Sequence, residues 1–284
     1  MTGSPRVERL GLIIGSMKAG TSSLFAYLAA HPGIAPCPAK EPNYFSDPGR
    51  VRAGPERYWE GWAVDPARHR VALEASTTYT MRPAIDGVAA RIDAFPHPDV
   101  RFLYLVRDPV DRIESHLSHL ATRRGGADRV GETDLRQAIQ VSRYAMQLEP
   151  YADRWPRDSI LLLRYEELVA EPARVAARAL RFLGLEPVPA VDAATGTTHN
   201  ARADMAADQV LAGVLGRAPW LGPLRRFVPD PVWSRVRAAV GARSAHTVHL
   251  TPEERERARG ELAEDMARLR EEWDVDVAEW SALR

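Results

Sequence analysis

Of the 38 basic side chains in the sequence only two are lysines, Lys18 and Lys40. A lysine ammonium is a compact, mobile point charge, whereas the guanidinium used everywhere else in this chain is a planar fork. Lys18 lies in Gly15-Ser16-Met17-Lys18-Ala19-Gly20-Thr21, after the apolar run at 10–14 and before a helical pattern at 22–30. Strand, glycine-bounded loop and helix together make an anion cradle. The glycines let backbone N–H groups turn inward, and the helix N-terminus adds partial positive charge. A hydroxyl at the helix start can cap the helix and also touch the anion. A Walker A loop has the same glycine spacing but needs lysine directly after the second glycine. Here Thr21 holds that position, the lysine sits inside the loop, and no strand ending in a magnesium-binding Asp is evident. The chemistry these residues could do is recognition of a phosphate-like group without the NTP–magnesium apparatus.

Lys40 opens a second candidate stretch, Lys40-Glu41-Pro42-Asn43-Tyr44-Phe45-Ser46-Asp47. A charged pair beside aromatics in a loop is a surface that can bind a ligand; it is equally a solvated pair followed by two packing aromatics. A third stretch is Arg107-Asp108-Pro109, at the end of the β-rich run 101–106. Asp108 is a good N-cap and Pro109 a good first helical residue, so a helix should run on through Arg112 and Ser115 toward Arg124. In open α/β sheets ligands bind outside the carboxyl ends of strands, so Arg107 and the glycine loop should face one crevice.

The elements that must position these residues alternate in kind. Short apolar runs at 10–14, 71–74, 101–106 and 160–163 read as buried strands. Helices are expected at 22–30, 85–95, 109–124, 135–155 with a break near Pro150, and 172–183. Thr251-Pro252-Glu253-Glu254 is a capping box with proline at the first helical position. The last helix carries Leu262, Met266, Leu269 and Trp273 as one packed stripe. Residues 34–66 show little periodicity. The fold class expected is α/β, a P-loop-like three-layer fold with a central, mainly parallel sheet flanked by helices.

Composition sets broad bounds. Apolar residues make up 45% and charged residues 27% of 284 residues, with zero formal net charge. That is ordinary for a globular protein and supplies no global field for nucleic acid or anionic membrane. No run reaches the length of a membrane span or of a signal-peptide core, so a cytoplasmic location is expected. The one cysteine, Cys37, excludes an internal disulfide; between two prolines it reads as an inert loop residue sooner than a nucleophile. No cluster of metal ligands is visible, and no metal is expected in the site.

Taken together, these motifs resemble the sulfotransferases that use 3′-phosphoadenosine 5′-phosphosulfate (PAPS). The loop from Gly15 to Ser22 is similar to the family's 5′-phosphosulfate loop. Arg107-Asp108-Pro109, with Arg112 and Ser115, is similar to its 3′-phosphate motif. Leu163-Arg164-Tyr165-Glu166-Glu167-Leu168 resembles a segment whose tyrosine lies by the adenine. The stretch from Lys40 to Asp47 resembles the heparan sulfate sulfotransferase branch, where the matching segment supplies a catalytic glutamate. The resemblance covers roughly 9–185. The chain departs from that branch at Ala75, where the branch has lysine, and shows no glycine-rich loop near the C-terminus, for which His199-Asn200-Ala201-Arg202 is the stand-in.

The resemblance implies one sulfotransferase domain over 1–284, with a PAPS-binding core at 9–185. Residues 186–284 would form a helical part packing on that core, with covering of the acceptor site as a role open to it. Lys18 and Glu41 would be catalytic. The PAPS-binding residues would be Lys18, Ala19, Gly20, Thr21, Ser22, Arg107, Ser115 and Tyr165. Glu41 would be the base, its pKa raised by burial and its side chain turned away from Lys40; His116, His119 and His199 are the alternatives. The partner expected is a small-molecule acceptor, such as a glycan, glycolipid or secondary metabolite, stacked on Tyr44, Phe45, Tyr58, Trp59 or Trp62. The rival readings are a P-loop kinase for a small molecule and a nucleotide-binding module without turnover.

Overall fold

The computed structural model describes residues 7–96, 99–195 and 246–280. Internal contacts group the chain into two compact units. One comprises Met1–Arg112, Ile139–Thr198 and Glu256–Arg284, and the other Ile113–Ala138 and His199–Arg255.

The first unit is built on five strands: β1 (Arg9–Gly15), β2 (Ile34–Pro36), β3 (Val71–Ala75), β4 (Asp99–Val106) and β5 (Ile160–Arg164). They form one sheet in the order β2-β3-β1-β4-β5, and every pairing is parallel. The apolar runs are therefore continuous instead of alternating, because a parallel strand covered on both faces must bury every side chain. All of β3 is buried, and so is β1 after its first residue. β4 shows the two faces separately. Leu103 and Leu105 join Leu24 and Leu28 of α1 (Thr21–Ala29) and Ala176 and Leu180 of α9 (Pro172–Phe182). Phe102 and Tyr104 face the other way, toward Tyr151 and Tyr144 of α7 (Tyr144–Ala152). Helices thus cover both faces, as expected of a P-loop-like three-layer fold.

The order of the strands fixes where a ligand can sit. From β1 the chain moves to one side for β2 and β3, then crosses to the other for β4 and β5. The carboxyl ends of β1 and β4 flank that reversal, which leaves a crevice there. The glycine loop leaves β1 at this point, and Arg107 follows β4.

Several elements differ from expectation. The region 34–66 holds β2, α2 (Pro48–Arg52) and α3 (Pro55–Trp59), all too short to show a period. The expected helix at 85–95 is the shorter α4 (Val88–Asp93), started by Gly87. The interruption expected near Pro150 falls instead at residues 142–143, between α6 (Glu132–Val141) and α7. Pro150 sits inside α7. It cannot bond the carbonyl four residues back, and that carbonyl, of Met146, accepts from Arg82 Nη1 at 3.0 Å instead. A short helix α8 (Tyr165–Ala170) and α10 (Pro189–Thr195) complete the described part of 160–195.

The last helix is α11 (Pro252–Trp273). Its capping box is formed: Thr251 N–H donates to Glu254 Oε2 at 2.8 Å and Glu254 N–H to Thr251 Oγ1 at 3.2 Å. Leu262, Met266, Leu269 and Trp273 are buried as one stripe. Asp265 on the same helix accepts the N–H groups of Ala145 and Met146 at 3.0 and 2.9 Å, capping α7 from outside its own sequence.

Candidate active site

The loop 15–21 is fastened to β4 from beneath. Ser16 is buried, and both its N–H and its hydroxyl donate to Leu105 C=O at 2.8 Å. Gly15 lies so close to Tyr104 that a Cβ would stand 2.7 Å from a ring carbon. Lys18 has φ 72° and Gly20 φ 89°, both left-handed. Gly20 is the N-cap of α1, and no side chain caps that helix. The cap expected of a hydroxyl is not made; Thr21 is the first helical residue and is buried. The first turn of α1 thus keeps its N–H groups for another partner.

Two arginines hold the outer edge of the loop. Arg112 lies on α5 (Pro109–Arg124), is 0% exposed, donates from Nε to Ser142 Oγ at 2.7 Å and reaches Met17 C=O at 3.3 Å. Arg107 Nη1 donates to Lys18 C=O at 3.3 Å. Two successive loop carbonyls are thus drawn toward the β4–α5 junction, and in a planar peptide the following N–H points the opposite way.

Arg107 also lies 4.6 Å over the ring of Tyr165, and a Cβ on Gly20 would be 3.1 Å from that ring. The structure therefore brings Lys18, Gly20, Arg107 and Tyr165 together. Arg107 approaches Asp111 at 3.7 Å, and its buried Nε has no hydrogen-bond partner among the described residues. Asp108 caps α5, accepting from Val110 N–H at 2.9 Å, and its own N–H donates to Glu166 Oε1. Ser115 is buried on α5 within the second unit.

Glu41 follows β2 and is held by the segment that follows β3. Its N–H donates to Ala75 C=O at 2.8 Å, and Thr77 Oγ1 donates to its two carboxylate oxygens at 3.2 and 3.1 Å. Lys40 Nζ pairs with Glu41 Oε1 at 2.8 Å, so these side chains meet, contrary to the expectation that they diverge. The Thr77 turn is tied to the end of β1: Ser76 N–H donates to Ile13 C=O at 3.0 Å and Thr80 Oγ1 to Ile14 C=O at 2.7 Å. Glu41 is carried in this way to the strand end where the Lys18 loop begins. Thr77 lies 36 residues beyond Glu41 in the sequence, and nothing in that spacing ties the two together.

Left-handed backbone is concentrated here. Among the described residues four non-glycine residues have positive φ: Lys18, Glu41, Asn43 and Asp274. Three of the four belong to the candidate site. Such conformations persist where the surroundings over-determine them and cluster at functional sites.

The aromatic stretch packs inward. Tyr44, Phe45, Tyr58 and Trp59 are buried, and the first three form edge-on contacts with each other and with Phe95 at 5.0 to 6.0 Å. They are core and not a stacking platform for a ligand. Trp62 is half-buried and, with Pro42, Tyr58, Arg50 and Arg57, lines a cavity of about 460 Å³. Cys37 at its edge is buried, and burial pushes its thiol up to about 11, which makes it inert. His116 and His119 lie on α5 in the second unit; His199 and the stretch to Arg202 lie outside the described residues.

An anion loop opening on the switch point of a parallel sheet, with a second cation at the next strand end, defines a P-loop-like group-transfer architecture. The model of the sulfotransferase family matches residues 56–189. Mouse heparan sulfate glucosamine 3-O-sulfotransferase 3B1 is 28% identical over 194 residues, which is 62% of this chain and 46% of the relative. The human 3A1 enzyme is 27% identical over 191 residues, covering 62% and 44%. The chain thus matches about half the length of these relatives. A sulfotransferase from Alicyclobacillus acidocaldarius shares the fold, with TM-score 0.62, 24% identity and coverage of 98% and 99% of the two chains. The sulfotransferase domain of the Synechococcus PCC 7002 olefin synthase shares it at TM-score 0.52 and 16% identity, covering 96% and 97%. These comparisons support a sulfotransferase family for the matched part of the chain. Among the described residues no helix is long and apolar enough to cross a membrane.

Proposed function

We propose that this protein is an enzyme that transfers a sulfuryl group from PAPS to a hydroxyl or amine of a small-molecule acceptor. The observation that carries the reading is the shared strand end: the Lys18 loop, Arg107 with Tyr165, and the Thr77-bound Glu41 all follow carboxyl ends of adjacent strands. The pocket fits such a donor. The uncapped first turn of α1 and the buried Arg107 Nε, unpartnered among the described residues, are both groups that an anion satisfies.

Bound there, PAPS supplies the activated sulfur–oxygen bond to its 5′-phosphate. The N–H groups of Gly20, Thr21 and Ser22 and the hydroxyls of Thr21 and Ser22 hold the 5′-phosphate, while the Ala19 N–H donates to Ser16 C=O at 3.2 Å. Arg107 holds the 3′-phosphate, and Tyr165 lies by the adenine. Glu41 takes the proton of the acceptor as the acceptor oxygen bonds to sulfur. Lys18 stabilises the charge that collects on the 5′-phosphate oxygen when its bond to sulfur breaks. Holding both reactants in line supplies the remainder.

The acceptor belongs on the β2–β3 side, next to Glu41. Its seat is the cavity lined by Pro42, Arg50, Arg57 and Trp62, where one half-buried indole can cover a sugar or other ring. The names of the relatives favour a glycan; a glycolipid or secondary metabolite fits the same seat. We read the chain as one sulfotransferase domain with its PAPS-binding core at 9–185. A reducing cytoplasm suits its single buried thiol.

The test is thermal stability with 3′-phosphoadenosine 5′-phosphate (PAP), with ADP, and with ATP plus magnesium. A ligand at ~100 times its dissociation constant adds roughly 2.7 kcal/mol. Stabilisation by PAP alone is expected; equal stabilisation by ATP with magnesium would sink this reading in favour of a kinase. Glu41→Ala should abolish transfer and leave PAP binding intact, and near wild-type turnover in that variant would remove Glu41 as the base.

A further inference from the structure

Glu74 ends β3 one residue before the strand's last position and is 0% exposed, yet the proposed mechanism does not use it. Its Oε1 is bonded to Ser76 Oγ at 2.7 Å and its Oε2 to Tyr58 OH at 2.8 Å. The titratable groups that face it are Glu41, Tyr58, Tyr79, Cys37 and Tyr151, all of them acids. Burial among them pushes the Glu74 carboxyl up, so it retains its proton longer than an exposed glutamate. A neutral carboxyl is both donor and acceptor, and two hydroxyl partners suit it.

What this carboxyl holds in place is the segment that carries Glu41. Alternate N–H groups of that segment land on the residues just beyond Glu74. Glu41 N–H donates to Ala75 C=O at 2.8 Å, Asn43 N–H to Ser76 Oγ at 3.1 Å, and Phe45 N–H to Tyr79 OH at 3.3 Å. Ser76 Oγ thus stands between Glu74 on one side and Asn43 on the other. Tyr58, on the second oxygen, packs against Tyr44 and Phe45 at 5.0 and 5.2 Å. Glu41 and Asn43 are both left-handed, at φ 61° and 53°. Two such residues so close together need outside bonds to keep them there.

We propose that Glu74 is a positioning residue for Glu41: through Ser76 and Tyr58 it fixes the 41–45 segment so that the Glu41 carboxylate meets Thr77 and Lys40. This rests on the reading of Glu41 as the base.

The chain offers its own reporter. It has two lysines, so protein labelled with 13C-lysine gives one signal for Lys18 and one for Lys40, with Lys40→Arg to assign them. Lys40 touches the Glu41 carboxylate, and its Cε shift follows that contact whether or not the enzyme turns over. Glu74→Gln keeps a neutral donor and acceptor for Ser76 and Tyr58; Glu74→Leu removes both. The expected result for Glu74→Leu is a Lys40 signal moved toward free lysine and a kcat at least ~10-fold lower, within the range that a misplaced base costs. PAP affinity should hold within about 2-fold, because the donor side is untouched. Glu74→Gln should restore both the Lys40 signal and turnover. If Glu74→Leu does not fold, Ser76→Ala cuts the same link and should move the same signal. A wild-type Lys40 signal in Glu74→Leu or Ser76→Ala would overturn the proposal, as would a loss of PAP affinity parallel to the loss of kcat. Should Glu41→Ala retain turnover, the base reading fails, while the Lys40 signal still decides what Glu74 does.

Discussion

A single added methyl group should have opposite effects at Gly20 and at Gly260. Gly20 is left-handed at φ 89°, and a Cβ there would stand 2.9 Å from Leu168 Cδ2 and 3.1 Å from Tyr165 Cδ2. A non-glycine residue in that conformation costs ~1–2 kcal/mol. Forcing a methyl between two packed side chains costs another ~1–3 kcal/mol. The lower chain entropy of alanine when unfolded returns about 0.5–1 kcal/mol. Gly20→Ala should therefore lose about 3 kcal/mol, or ~6–12 °C in Tm at the scaling of a domain this size. Gly260 lies in α11, is exposed, and has nothing within 4 Å of an added Cβ. Gly260→Ala should gain about 1 kcal/mol from helix propensity alone. Urea unfolding of the two variants beside the wild type measures both. The Gly20 methyl also presses on Tyr165, whose ring Arg107 covers, so PAP should stabilise Gly20→Ala less than the wild type. A Gly20→Ala protein with unchanged midpoint and unchanged PAP response would refute the claim that the loop is shaped by close approach at Gly20.

Three further outcomes are expected. Asp265→Ala should destabilise by about 2–4 kcal/mol, since two N–H groups at the start of α7 lose a buried acceptor. Burial raises the Asp265 carboxyl, so the isosteric neutral Asp265→Asn should lose less than Asp265→Ala in the same urea titration. Glu74 gives a pH signature. Its native pKa lies above the unfolded value of about 4.3, so its contribution to stability is whole below that pH and fades as pH rises through the raised native value. Glu74→Gln is neutral throughout, and its stability relative to wild type should rise between acid and neutral pH; parallel curves would show that Glu74 is not raised. Cys37 should resist a thiol reagent at pH 8 in the native protein and react fully in denaturant, because its thiol is buried and pushed up to about 11. Prompt labelling of the folded protein would contradict that burial.

The parts of this fold legible in the sequence are those where one physical requirement acts alone. A strand buried on both faces must be mostly apolar, and β1, β3 apart from Glu74, β4 and β5 could be read for that reason. β2 could not, because three residues carry no period. The α11 capping box is local, and it formed; the α7 cap is not, because Asp265 arrives from more than a hundred residues away. Pro150 misplaced the helix break because the missing bond at Met146 is made good by Arg82, which no window around Pro150 contains. In the site, Lys18, Gly20 and Arg107 could be read from strand–loop–helix grammar. The pairing of Glu41 with Lys40 and Thr77 could not, since it depends on how the chain after β2 crosses the end of β3. The aromatics of 44–59 misled for a related cause: composition shows that rings are present but not which way the short helices α2 and α3 turn them.

The two lysines gain their meaning from the same geometry. An arginine at position 18 would bring a wide planar fork into a loop whose outer edge is already taken by two guanidinium groups, from Arg107 and Arg112. Those forks do what forks do well, holding fixed carbonyls at fixed angles, while the inner position is left to a point charge that, in the proposed mechanism, follows an oxygen as its charge grows. At position 40 the ammonium meets one oxygen of Glu41 and leaves Thr77 to bridge both. A bidentate guanidinium would hold both carboxylate oxygens in one fixed fork, whereas the ammonium contacts one oxygen as a mobile point charge. In the proposed mechanism the arginines hold the loop carbonyls, and the lysines stand where a contact has to change during the reaction.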